Sequence, residues 1–209
     1  IADNLSVWLP AADELTYNSY NYAITDLDFN GRLEIIVSSC QGTGFFTYSS
    51  IWQVNDTRDG LEEVSYARSE EYSQPDIIVD TADVYLNAAF DEPIYNYIFE
   101  DYLRNGAAEN YSTLMSINLN GTSIHSNILA TRQSVYDMDG NETTTYEDQD
   151  GNEITAEEYS AAPENTFSSC KKLTASFGWI YDSEGLIPTL ENADLVQRLA
   201  ESYQGFNVE

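Results

Sequence analysis

Between Asp26 and Glu34 the chain reads D-L-D-F-N-G-R-L-E, with oxygen-bearing side chains at alternate positions. Calcium takes about six to eight oxygens at ~2.3–2.6 Å in a flexible shell. Asp26, Asp28 and Asn30 converge if the backbone curls, and Gly31 permits the sharp turn that curling needs. Arg32 offers its carbonyl and Glu34 a further carboxylate, leaving water or a distant carboxylate to complete the shell. An EF-hand would place a bidentate Glu twelfth, whereas this chain has Val37 there, inside the strand-like "EIIV". The loop is therefore not an EF-hand. The same residue types also close a plain turn between strands, because Asp and Asn hydrogen-bond to their own backbone. Both readings stand on the residues alone.

Other chemistry finds less support. His125 is the only histidine and lies in the alternating "SIHSNIL", as a strand surface residue would. No G-x-S-x-G elbow is present, "QGTGFF" (41–46) lacks the lysine of a phosphate cradle, and no C-x-x-C occurs. The 36 Asp and Glu could supply a glycosidase pair, but their abundance singles out none. Trp8, Trp52, Trp179 and the tyrosines could stack on sugars; their spacing of two, as in "IYNYIF", reads more simply as core and cross-strand packing.

The elements that must carry the loop are mostly strands. Runs rich in Val, Ile, Tyr and Thr recur from Tyr20 onward, among them "YNYAITDLD", "LEIIVSS", "FFTYSSIWQVN", "DIIVD", "IYNYIFEDYLR", "YSTLMSINLN" and "LTASFGWIYD". "NDTRDG", "LNGT" and "DMDGN" between them predict hairpin turns. A short helix is expected near the N-terminus, with Pro10 in its first turn and Asp13 and Glu14 near its positive end. Two more are expected late. One opens on the capping box of Thr155 and Glu158; the other places Leu195, Leu199 and Tyr203 on one face and ends at Gly205. "DGNE" occurs at Asp139 and again at Asp150, as two hairpin turns or as coincidence. The expected fold is α+β, mainly β: an antiparallel meander of at least six strands in one domain spanning 1–209.

With 36 acidic against 8 basic residues, the formal net charge is −28. That balance repels phosphate backbones and anionic lipid headgroups, which excludes nucleic acid and direct membrane-surface binding. Cations, and a protein or glycan partner, remain. Cys40 and Cys170 suit one bridge or two buried, unreactive thiols. The start at Ile1, without Met or a leader, suits a mature chain.

The loop resembles the calcium loops of FG-GAP repeats in integrin-type propellers, whose ligand positions map onto Asp26, Asp28, Asn30 and Glu34. "DMDGN" and "DQDGN" are degenerate copies at most, which does not make a propeller. A broader resemblance covers most of the chain. "YAITDLDFNGRLEII", "FEDYLRNG" and "YEDQDGNEITAEEY" follow in the order seen in secreted or lipid-anchored domains of gut Firmicutes. Those domains often carry Asp where Asn30 stands, which implies weaker calcium binding here. The resemblance implies an extracytoplasmic location, secreted or lipid-anchored at the cell surface, and no activity. The expectation is thus a non-catalytic domain for binding or assembly, with one structural calcium. The alternative is a carbohydrate-active protein, either a sugar-binding module or a two-carboxylate hydrolase.

Overall fold

A computed structural model of the chain describes residues 1–11, 14–15, 19–41, 46–66, 77–105 and 108–209. Among these described residues, twelve strands form one mixed, mostly antiparallel sheet. A first meander comprises β1 (Ser19–Thr25), β2 (Glu34–Gln41), β3 (Phe46–Val54) and β4 (Leu61–Tyr66). A second comprises β5 (Thr81–Asn87), β6 (Ile94–Asn105), β7 (Glu109–Asn120), β8 (Ser123–Tyr136) and β9 (Glu142–Asp148). The single meander expected from the short turns is therefore two. They join where β4 runs parallel to the start of β8, through Ser65 with Ser123 and Tyr66 with Ile124. The second meander meets β4 through its long fourth strand rather than its first. β10 (Lys171–Ser176) extends the sheet beyond β5, β12 (Asn207–Val208) pairs with β10, and β11 (Ile180–Asp182) adds to the edge of β1.

Three sequence expectations about strands are corrected. "DIIVD" carries no strand over its described residues; Ile77 is a buried anchor, and the ladder begins only at Thr81. An unbroken apolar run supplies burial here, not pairing. β5 was missed although it alternates, sending Ala82 and Val84 inward. β9 ("ETTTYED") has no apolar pattern to find, because its stability comes from pairing with the far end of β8.

The helices follow their local signals closely. A 3-10 turn at Ala2–Asn4 runs into α1 (Leu5–Trp8), which stops before Pro10, since Leu9 is already extended. Beyond it Glu14 and Leu15 are helical, with Leu15 N donating to the Ala11 carbonyl at 3.1 Å, and Asp13 lies outside the described residues. α2 (Ala156–Thr166) opens on the expected box, with Thr155 Oγ1 accepting from Glu158 N and Glu158 accepting from Thr155 N. α3 (Asn192–Gln204) buries Leu195, Leu199 and Ser202, while Tyr203 is exposed. Ser202, not Tyr203, completes the inner stripe.

Two cores result. One gathers Ala23, Ile36, Ile51 and Val64 of the first meander against Val84, Tyr97, Phe99 and Ile117 of the second, with Phe177 and Phe206. The other packs the opposite face of β1 and β2 (Tyr20, Tyr22, Ile24, Ile35, Val37) against Trp8, Leu195 and Leu199. Both faces of these strands are thus buried, which explains their nearly continuous apolar reading. Trp8 lies in a core, and Trp52 and Trp179 are half-buried and packed against one. His125 is exposed on β8. Cys170 is a half-buried free thiol, and the strand carrying Cys40 is no neighbour of β10.

Ser202 ties α3 to this frame. Past the end of β11, its hydroxyl accepts from Ile24 N at 2.9 Å and donates to the carbonyl of Gly178. A Cβ on Gly178 would collide with the backbone of Ser202, and one on Gly205 would lie 2.7 Å from the Gly178 Cα. Gly205 has φ −81°, so close approach rather than left-handed backbone requires glycine there. Ser202→Ala should leave two buried backbone groups without a partner and cost about 1–3 kcal/mol. Urea unfolding should show that loss, and a much smaller one for the exposed Tyr203→Ala. Equal effects would remove the bridging role.

Candidate metal centre

Strand register builds the site. Thr25, Glu34 and Gln53 pair directly across β1, β2 and β3. Side chains alternate along a strand, so Glu34 shares its face with Ile36 in the core between the two meanders, while Ile35 faces the helices. Glu34 is fully buried in consequence. Its Oε2 accepts from Leu27 N at 2.8 Å and from Thr25 Oγ1 at 3.1 Å, and its Oε1 accepts from Gln53 Nε2 at 2.9 Å. Burial nevertheless outweighs these donors and pushes the Glu34 carboxyl up to about 8, with the negative charge of Asp28 adding to the rise. The Oε1 atom of Gln53 is buried without a hydrogen-bond partner. Rotation of that amide would present this acceptor to a protonated Glu34.

The loop then folds back onto Glu34. Oxygens of Asp26, Asp28 and Glu34 all lie within 4.8 Å of one another. Asp26 accepts from Gly31 N at 3.2 Å, and Asp28 accepts from Asn30 Nδ2 at 2.8 Å. The backbone turns through left-handed conformations at Phe29 (φ 56°) and Gly31 (φ 77°). Left-handed backbone is uncommon for a bulky residue. The Phe29 ring packs 4.6 Å from Tyr95 and 6.0 Å from Phe206, contacts that help hold it. Tyr97 Oη donates to the Leu27 carbonyl at 2.9 Å. Arg58 Nη2 donates to the Gly31 carbonyl at 3.2 Å, and Arg32 Nη1 bonds to Asp56 at 2.7 Å and Glu62 at 3.2 Å. Two loops are thus clamped side by side.

Of the five residues expected as ligands, the fold gathers Asp26, Asp28 and Glu34. Asn30 stands beside Asp28, but its Oδ1 accepts from Arg32 N at 2.6 Å and so braces the loop. Arg32, expected to offer its carbonyl, turns its side chain to Asp56 and Glu62. Thr25, Gln53 and Tyr97, which surround the group, were not singled out in the sequence. Gln53 carries no local signal, because only the pairing of β2 with β3 brings it to Glu34. "QGTGFF" lies largely outside the described residues.

The two "DGN" turns are a control within the same chain. Asp137 Oδ1 accepts from Asp139 N and Asn141 N, each at 2.9 Å, and Asp148 repeats this with Asp150 N and Asn152 N. The repeated "DGNE" is therefore one turn used at both ends of β9. Bonds from the asparagine side chains hold Asp137 and Asp148 below the usual carboxylate range. Asp26 and Asp28 shift the other way, chiefly through burial. Similar letters thus give exposed anions in one place and a desolvated cluster in the other. Three carboxyl groups without His or Cys make an oxygen-only donor set, suited to a hard cation.

No protein family and no curated protein matches the sequence. A solved structure, described as that of a Xanthomonas Type IV secretion system related protein, aligns over 63% of this chain at 12% identity with a TM-score of 0.32. The aligned part spans 56% of that protein, and so slight a likeness carries no functional argument.

Glu34 sets a pH dependence. Its folded pKa lies above the ordinary 4.5 of glutamate, so the native state holds a proton that the unfolded chain releases. Below about 4.5 both states are protonated and Glu34 costs nothing. From about 4.5 to about 8 its contribution destabilises the native state progressively, and above about 8 the cost is constant. In chelator, Glu34→Gln should therefore gain stability relative to the parent as pH rises from 5 to 8. Denaturant unfolding at several pH values measures this difference; a constant difference would contradict it.

Proposed function

We propose that this is a non-catalytic extracytoplasmic domain for binding or assembly, in which the Asp26–Glu34 loop holds one structural calcium ion. The convergence of Asp26, Asp28 and Glu34 on one point carries the metal reading. Burial raises all three carboxyls toward their neutral forms, a cost that a bound dication relieves. The Arg32 guanidinium, the nearest cation in the loop, is engaged by Asp56 and Glu62. Calcium suits the loop better than magnesium, because it accepts an irregular oxygen shell completed by water. Its place at the mouth of the core between the meanders gives the ion a structural role, pinning the β1–β2 turn. The extracytoplasmic reading rests on the three ordered sequence matches, and millimolar calcium outside cells fits a weak site of this kind.

At a Kd of ~0.1–1 mM, about 1 mM calcium stabilises the native state by roughly 0.4–1.4 kcal/mol. For a chain of this size that raises Tm by about 1–5 °C. Magnesium at equal ionic strength should give a smaller shift. Asp28→Ala should abolish the difference between the two ions and keep the magnesium response. Equal shifts with both ions in the parent protein, unchanged in Asp28→Ala, would reduce the loop to a turn.

A further inference from the structure

The long strands of the second meander extend past the core, and their two faces are treated differently. On one face α2 is packed: Tyr159 Oη donates to Glu100 at 3.1 Å, and its ring lies 5.3 Å from that of Tyr146. The other face carries two neighbouring cross-strand rows. Asp101, Thr113, Thr131 and Glu147 stand side by side on β6, β7, β8 and β9, and Leu103, Tyr111, Gln133 and Thr145 form the next row outward. Together they line a groove of about 330 Å³, at the small end of the ~300–1,000 Å³ typical of ligand pockets.

We propose that this groove binds a short neutral saccharide. The hydroxyls of Thr113, Thr131 and Thr145 and the carboxylate of Glu147 make no side-chain hydrogen bond or ion pair among the described residues, so a row of donors and acceptors faces the groove. Tyr111 is fixed rather than free. Its hydroxyl donates to Glu109 at 3.0 Å and accepts from Gln133 Nε2 at 2.9 Å, which holds the ring beside Leu103. An apolar patch next to hydroxyls and carboxylates matches a sugar ring, which has an apolar face and a rim of hydroxyls. Glu147 and a net charge of −28 disfavour an anionic ligand, and the lining's Arg132 is engaged by Glu100 at 3.5 Å and by Ser112 at 2.8 Å. Asp101 and Glu147 stand three strand spacings apart, about 14 Å between backbones. Neutral threonines fill the interval, so the groove is not a focused cation site. The groove is on the other meander from the Asp26–Glu34 loop and needs no metal.

Calorimetric titration of the whole chain in chelator tests this. The probes are neutral gluco-, xylo-, manno-, galacto- and N-acetylglucosamine oligomers of three to six units, with oligogalacturonate and spermine as contrasts. At least one neutral oligomer should bind one-to-one. Thr131→Val and Glu147→Gln should each weaken it about tenfold or more, as loss of a hydrogen-bonding partner does, without lowering Tm. Tyr181→Ala, in the separate groove beside α3, should leave binding unchanged. The proposal is overturned if no neutral oligomer binds at millimolar concentration, or if spermine or oligogalacturonate binds in their place. It is equally overturned if binding survives both groove variants or is lost in Tyr181→Ala.

Discussion

The register of β1, β2 and β3 is the constraint on which the core and the Asp26–Asp28–Glu34 cluster both depend. With Ile24 opposite Ile35 and Ala23 opposite Ile36, each strand buries one set of side chains against the helices and the other against the second meander. A slip of one residue would exchange the two sets. The same register places Glu34 in the core between the meanders, flanked by Thr25 and Gln53. A carboxyl group there is costly, and its hydrogen bonds offset the cost only in part. The electrostatics of the loop follow from that one placement.

The second meander shows the complementary use of a sheet. Its inner half, around Tyr97, Phe99 and Ile117, is covered by the first meander and by Phe177 and Phe206. Its outer half is too long to be covered on both faces. α2 takes one face, and hydroxyl-bearing and acidic residues line the other. Strand length thus separates a packed region from a grooved one along the same strands.

Much of the local structure was readable in the residues. The capping box at Thr155, the hairpin turns at "NDTRDG", "LNGT" and "DMDGN", and the convergence of Asp26 with Asp28 all depend on neighbours a few positions apart. β9 and Gln53 were not readable, because each owes its place to a partner strand rather than to its own pattern. Tyr203 and Ser202 exchanged roles for a related reason. Helical period puts both near the inner stripe, and only the backbone groups of Ile24 and Gly178 decide which one is needed there.

The sequence by itself therefore determined a mainly β chain, a strongly acidic surface and an oxygen-rich loop, since composition, alternation and turn chemistry act over short range. Tertiary structure alone decided that the strands divide into two meanders joined by a short parallel contact. It alone buried Glu34 while leaving Asp137 and Asp148 in water, and among the described residues it left a groove along one face of β6–β9. Each of these depends on which distant strands pair and which face is covered. Those choices are made by the summed burial of residues far apart in the chain, and no local stretch encodes that sum.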